Sequence, residues 1–306
     1  MCTAIHLSDE RLFGRTLDYE KGFGEEVIFT PREFMRMGDA RNRYSMLGVG
    51  VVIEGNTLYF DGMNEWGLCG AALNFPEYAK YIKEKRKKAE VPSGLFLSFA
   101  LGFCKSVDQL KDLLTEICIS DESVNGIPAS PLHWIFADAT GCITVESTKR
   151  GLEVFENPYG ILTNSPDFAY HTTRLADYVA LHSGYPENRL TEMSISPYSR
   201  GMGAVGFPGD FSSSSRFIRG FFVKENSISQ EGEQGRINRM RHILSSVSIP
   251  LGCVLTRENE SVSTRYSCIM DSENLIYYFC SYDNPQLRSA RLYPEATEVK
   301  AFSIYE

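Results

Sequence analysis

Blocks of strand-like sequence open, divide and close this chain, and two clusters of helical sequence separate them. Residues 2–7 and 12–17 alternate as two short strands around a Ser8-Asp9-Glu10 turn. Residues 46–54 (MLGVGVVIE) and 66–75 (WGLCGAALNF) carry the same signal, with glycines that permit close backbone approach. Residues 94–104 (GLFLSFALGFC), opened by Pro92-Ser93, read as a helix apolar on every side, which belongs in a covered layer. Ser106 with Gln109 forms a capping box for a second helix, whose Leu110, Leu113, Leu114 and Ile117 share one face. Strand patterns return at 132–137, 142–147, 152–155 and 161–163, and helical ones at 168–181, 212–225 and 236–249, the last stopped by Pro250. Strands near 261–270, 274–282 and 289–293 follow. A strand block has faces to bury and a helix a stripe. This order therefore resolves most simply as two stacked sheets with helices on the outer faces.

No internal repeat, low-complexity tract or linker-like shift divides the sequence, so one domain spanning 1–306 is expected. The chain carries 31 Lys+Arg against 39 Asp+Glu, a net charge of −8, which argues against a nucleic-acid partner. No uncharged run is long enough for a transmembrane helix, and no membrane partner is expected. The first ten residues lack the basic and apolar regions of a signal peptide, which predicts a cytoplasmic protein. The eight cysteines include no C-x-x-C pair. The seven beyond Cys2 read as small buried hydrophobes in a reducing compartment. The charge run at 80–90 (KYIKEKRKKAE) reads as a solvated surface segment. Residues 183–210, rich in Gly, Pro, Ser and Tyr, form a long irregular stretch of the kind that serves function or assembly. The metal- and nucleotide-binding signatures H-E-x-x-H, Walker A and G-x-G-x-x-G are missing, so no metal and no cofactor are expected.

Chemistry concentrates at the N-terminus. Cys2 is small enough for an aminopeptidase to remove Met1, leaving a free amine and a thiol on one residue. An α-amine has a pKa of about 8 and a thiol about 8.5. The amine can therefore take the thiol proton near neutral pH, and a single residue supplies nucleophile and base. The returning strand carries Arg15 and Asp18. Antiparallel pairing brings that region beside Cys2, where a guanidinium would favour thiolate and a carboxylate would orient the amine. Taken singly, these residues have plainer readings. Arg15 and Asp18 could be a salt bridge, Asn164 a turn residue, Asn74 a strand end, Arg216 a solvated helix arginine, and His133 a satisfied core histidine.

Met-Cys-Thr at the start and Phe13-Gly14-Arg15-x-x-Asp18 after it resemble the choloylglycine hydrolase family, which contains bile salt hydrolases and penicillin V acylases. The resemblance continues through Asp61-Gly62-Met63-Asn64-Glu65-x-Gly67-Leu68, Leu73-Asn74-Phe75-Pro76 and Leu132-His133-Trp134. Leu162-Thr163-Asn164-Ser165-Pro166, Gly206-Phe207-Pro208-Gly209-Asp210-Phe211 and Ser215-Arg216-Phe217 extend it in family order. It implies an α+β fold, the four-layer αββα sandwich of N-terminal-nucleophile hydrolases, with two antiparallel sheets between helical layers. Cys2 would be the nucleophile after loss of Met1, flanked by Arg15, with Asp18 holding the amine. Asn164 and Asn74 would form the oxyanion hole, and Arg216 would tie the polar network together. The implied reaction hydrolyses the amide of glycine- or taurine-conjugated bile acids through a Cys2 thioester. Asn74 tilts the reading to bile salts, because the family's penicillin acylases usually carry Tyr there. By position, Leu17, Phe23, Tyr59, Ile127 and Leu132 would line an apolar cleft for the steroid. The resemblance also implies a homotetramer, with the region around 185–200 as its assembly loop. The alternatives are a penicillin V or N-acyl amide amidase and a non-catalytic bile-acid-binding protein.

Overall fold

The computed structural model describes residues 1–37, 40–81, 89–124 and 126–305. Its first hairpin sets the frame. Cys2–Leu7 pairs antiparallel with Leu12–Tyr19, so that Cys2 lies opposite Leu17 and Ala4 opposite Arg15. Both strands are buried almost throughout, because each lies inside a sheet that is covered on both faces. The other edge of Leu12–Tyr19 pairs with Ser261–Asp271, and the other edge of Cys2–Leu7 pairs with Ile161–Leu162. Segments from the beginning, middle and end of the chain thus become neighbours. The sheet continues through Ile276–Ser281 and Arg288–Arg291, and among the described residues it has seven strands.

The second sheet has eight strands among the described residues. It runs Gly151–Glu156, Cys142–Thr148, Leu132–Ala137, Cys69–Asn74, Asn56–Asn64, Met46–Ile53, Glu26–Thr30 and Lys300–Ser303, every pair antiparallel. Helices α1 (Phe96–Phe103) and α2 (Val107–Glu116) cover its outer face, burying Phe96, Leu97 and Leu101 with Trp134 and Phe136. A short helix, α3 (Phe168–Arg174), follows the Ile161–Leu162 strand. Helices α4 (Ser213–Asn226) and α5 (Glu233–Val247) cover the first sheet, burying Phe217, Met240 and Leu244. The layers are therefore helix, sheet, sheet, helix, as the element order predicts. Ser106 caps α2 by accepting from Gln109 N, as its spacing predicts.

Some elements differ from the sequence reading. The helix expected over 168–181 ends at Arg174 and continues only as a 3₁₀ turn, Leu175–Tyr178. Strands Glu26–Thr30, Asn56–Asn64 and Lys300–Ser303 are not anticipated by the sequence pattern. In Asn56–Asn64 (NTLYFDGMN), the Asn, Asp and Gly residues suppress the strand signal. Cys253 is exposed and Cys280 partly so, against the expectation of buried thiols; Cys253 sits in the turn after Pro250. Most of the charge run at 80–90 lies outside the described residues. Among the described residues, no helix is long and apolar enough to cross a membrane.

Candidate active site

Strand alternation sorts the N-terminal residues onto two faces. Opposed residues of an antiparallel pair point the same way, and side chains alternate along each strand. The Cys2–Leu17 and Ala4–Arg15 pairs therefore put Cys2, Arg15 and Leu17 on one face, toward the second sheet. Thr3, Thr16 and Asp18 take the opposite face, toward α4.

On the first face, Arg15 Nη2 lies 3.2 Å from Cys2 Sγ and 3.2 Å from the Ala72 carbonyl. Its Nη1 donates to the Phe60 carbonyl at 2.7 Å and pairs with Asp61 Oδ2 at 3.0 Å. Asp61 also accepts from the hydroxyls of Tyr266 and Tyr277 and from the Cys268 thiol at 3.4 Å. The side chains of this cluster are all buried. Burial pushes both phenols and the Cys268 thiol well up, so they stay protonated and donate to Asp61. Burial also opposes ionisation of Cys2, but the Arg15 guanidinium and the chain's terminal ammonium outweigh it. The net result is a thiol pKa below its ordinary value.

On the second face, Arg216 reaches down from α4. Its Nη1 donates to Cys2 O and Thr3 Oγ1, each at 2.6 Å, and lies 3.7 Å from Asp18 Oδ2. Its Nη2 donates to Asn164 Oδ1 at 2.8 Å, and Cys2 N donates to the same oxygen at 2.7 Å. The Asp18 carboxylate accepts from Thr264 Oγ1 at 2.6 Å and Thr16 Oγ1 at 3.3 Å. Met1 extends the strand, with its ammonium on the Asp18 carbonyl and its own carbonyl accepting from Asp18 N at 2.8 Å.

The side-chain nitrogen of Asn164 gives one hydrogen to Asn74 O at 2.8 Å and keeps a second. Next along the strand, Phe75 N donates to Pro131 O, while Leu132 N turns outward to Tyr81 Oη. Asn74 N–H therefore points away from the Leu132–Ala137 strand, on the same edge as the carbonyl that meets Asn164. The structure thus brings Cys2, Arg15, Asp18, Asn74, Asn164 and Arg216 into one constellation.

Cys2 lines a cleft of about 560 Å³, a size suited to a drug-sized or steroid-sized ligand. Leu17, Phe23, Tyr59, Ile127 and Leu132 all line it. Sequence reasoning misses Tyr19, Phe60, Ala72 and Val124 in its walls, and Glu26 and Glu122 as its acidic members. The signal for Tyr19 is its position two residues after Leu17, on the same face. Asp61 falls within a family motif, yet its role is not apparent from the motif alone. A carboxylate inside a strand, where Asp is disfavoured, is the available signal. His133 is buried, as its sequence setting suggests, with both ring nitrogens bonded.

Comparison with known proteins places these features in context. A family model described as linear amide C–N hydrolases, choloylglycine hydrolase family, matches residues 2–305. A bile salt hydrolase/transferase of Lactiplantibacillus plantarum is 38% identical over 299 residues, covering 95% of this chain and 92% of the relative. One from Clostridium perfringens is 37% identical over 317 residues, covering 99% and 96%. The crystal structure of the C2A variant of conjugated bile acid hydrolase from C. perfringens superposes with a TM-score of 0.90 at 36% identity, covering 99% of this chain and 97% of that one.

Proposed function

Because the chain belongs to the choloylglycine hydrolase family of linear amide C–N hydrolases, we propose that it is a bile salt hydrolase whose working groups are those gathered around Cys2. The observation that carries this reading is the Cys2 thiol, 3.2 Å from a buried guanidinium, in the wall of an apolar cleft. Its backbone nitrogen is already held at 2.7 Å by Asn164 Oδ1.

Loss of Met1 turns that nitrogen into an amine. Around it lie two buried cations, Arg15 and Arg216, and two buried anions, Asp18 and Asp61. Their charges cancel, so moving the thiol proton to the amine leaves the net buried charge at zero. That favours the thiolate–ammonium pair in a site where an unbalanced charge is costly.

The thiolate attacks the amide carbon. A C–S bond forms, and the carbonyl electron pair moves to oxygen, facing the second Asn164 Nδ2 hydrogen and Asn74 N–H. Removing one such donor typically costs about 3–4 kcal/mol of barrier. The ammonium then protonates the leaving nitrogen as the C–N bond breaks. In the second half, the amine takes a proton from water. Hydroxide adds to the thioester and the C–S bond breaks, returning the thiolate and releasing the free bile acid. An incoming amine in place of water forms an amide instead, which supports acyl transfer as a second outcome; the L. plantarum relative is named for both. The rigid apolar body of a bile acid suits the walls formed by Leu17, Tyr59, Phe60, Ile127 and Leu132.

Residues 183–210 expose Leu190, Met193 and Tyr198, which supports their reading as an assembly element of a homotetramer. The cytoplasm, which keeps thiols reduced, suits a cysteine nucleophile.

Intact-mass analysis with and without glycocholate tests the central claim. The expected result is a chain beginning at Cys2 that carries a transient acyl adduct and releases glycine. Chain that retains Met1 and turns over as fast as trimmed chain would overturn it. Side-by-side rates on penicillin V separate the amidase alternative, and absence of any amine release would mark a non-catalytic binder.

A further inference from the structure

Asn164 lies just beyond the Ile161–Leu162 strand, off the sheet ladder, so side chains rather than strand bonds must hold its backbone. Those side chains include two buried histidines from different elements. His133, on the Leu132–Ala137 strand, places Nε2 2.8 Å from Thr163 O. His171, on α3, places Nε2 2.8 Å from Asn164 O. A carbonyl only accepts, so both Nε2 atoms carry the hydrogen. Each ring is stacked on a phenylalanine. His133 lies 4.1 Å from Phe75 at 6°, and His171 lies 4.9 Å from Phe217 at 8°. His133 Nδ1 meets Glu146 Oε1 at 3.0 Å, and that oxygen also accepts from Phe168 N at 3.0 Å, at the start of α3. His171 Nδ1 is buried and has no partner among the described residues. Ser213 Oγ completes the cradle, accepting from Asn164 N and reaching Asn164 O, each at 2.8 Å.

We propose that His133 and His171 are positioning residues of the oxyanion hole: they clamp the two consecutive carbonyls at Thr163 and Asn164 and so fix the direction of the Asn164 amide. The mechanism needs neither ring as a base. Both point their Nε2 hydrogen at a backbone carbonyl. What they supply is rigidity, because an oxyanion donor is effective only when aimed in advance at the developing charge. This inference rests on the function proposed above.

The test compares His171→Phe and His133→Phe, which keep a flat apolar ring, with His171→Gln and His133→Gln, which restore an N–H donor. Acylation of trimmed enzyme by glycocholate is measured, and thiol titration counts the folded sites. Each Phe variant should lower kcat roughly ten- to hundred-fold with KM within about twofold, and each Gln variant should recover most of that loss. In an Asn164→Ala background, the Phe substitutions should add little, because the donor they aim is gone. The proposal is overturned if the losses multiply in full in that background, if they fall on KM, or if Gln fails to rescue. Ring NMR gives a readout that needs no substrate and no folded variant. Only five histidines have to be assigned, and wild-type His133 and His171 should both show protonated Nε2. A bare Nε2 on either ring sinks the clamp even if hydrolysis is normal. If hydrolysis is absent while the clamp signals stand, it is the function that fails.

Discussion

Arg15 serves a sulfur and a carboxylate at once, and only a planar fork can do so. One end touches Cys2 Sγ, and the other is pinned by Asp61 and the Phe60 carbonyl. A lysine has one point of charge and cannot span both ends. Arg15→Lys should therefore raise the thiol pKa and move the acid limb of the pH–rate profile to higher pH. The direction follows from the cause: the guanidinium stabilises thiolate, so weakening it demands a higher pH for the same ionised fraction. Alkylation of Cys2 by iodoacetamide across pH checks this. The reaction below its midpoint should slow roughly tenfold for every pH unit by which that midpoint rises. An unmoved midpoint would show that Arg15 does not tune the thiol. Cys2 and Arg15 are legible in the sequence because each carries an unusual chemical capacity at a short, fixed offset from a turn or terminus, whereas Asn164 taken singly reads as a turn residue and only the family resemblance marks it. Asp61 and His171 are not, because tertiary folding alone assembles their partners, for Asp61 from a strand about two hundred residues away and for His171 from the turn beyond the Ile161–Leu162 strand.

Among the elements, Asn56–Asn64 and Met46–Ile53 show how the scaffold reaches the site. Gly48 lies opposite Gly62, with a register shift just beyond Val49. A methyl group at Gly48 would meet the Asp61 carbonyl oxygen at 2.1 Å, which is backbone and cannot swing aside. Gly48→Ala should destabilise the fold by about 2–3 kcal/mol through overpacking, and should displace the strand that holds Asp61 against Arg15. Urea unfolding measures the first effect and thiol alkylation the second. A change below about 0.5 kcal/mol, the usual range for an innocuous surface site, would contradict the close approach. The glycines of MLGVGVVIE thus have a physical meaning that the pattern announces. The adjoining strand does not announce itself, because its Asp61 and Gly62 answer to the site and to the close approach rather than to β-propensity. The layer order is legible because the blocks of two- and 3.6-residue periodicity are long. The early end of α3 is not, because Leu175–Tyr178 keeps helical spacing while its hydrogen bonding tightens.

For the whole molecule, the buried histidines set how folding responds to acid. His6 and His171 are both pushed down from an ordinary 6.5 to about 4, chiefly by burial, with Lys224 adding to the effect at His6 and His133 and Arg216 at His171. Between these values the unfolded chain takes up two protons that the native chain refuses. Stability from these groups is therefore complete above about pH 6.5 and drains away as the pH falls toward 4. Each histidine contributes at most about 1.4 kcal/mol per pH unit in that window, so the fall from pH 7 to pH 5 is up to roughly 4 kcal/mol for the pair. Asp210 acts in a lower window. Hydrogen bonds from Ser212 and Ser215 hold its carboxyl at about 2, so its contribution is intact at pH 5 and fades only below about 4. Urea unfolding at pH 7 and pH 5 should thus show a marked loss of stability in the wild type and a smaller one in a His6→Gln, His171→Gln double variant. Equal losses in the two proteins would place the acid sensitivity elsewhere. The ring that aims the oxyanion donor would then take up its proton as readily in the native chain as in the unfolded one, and the link between site rigidity and acid unfolding would break.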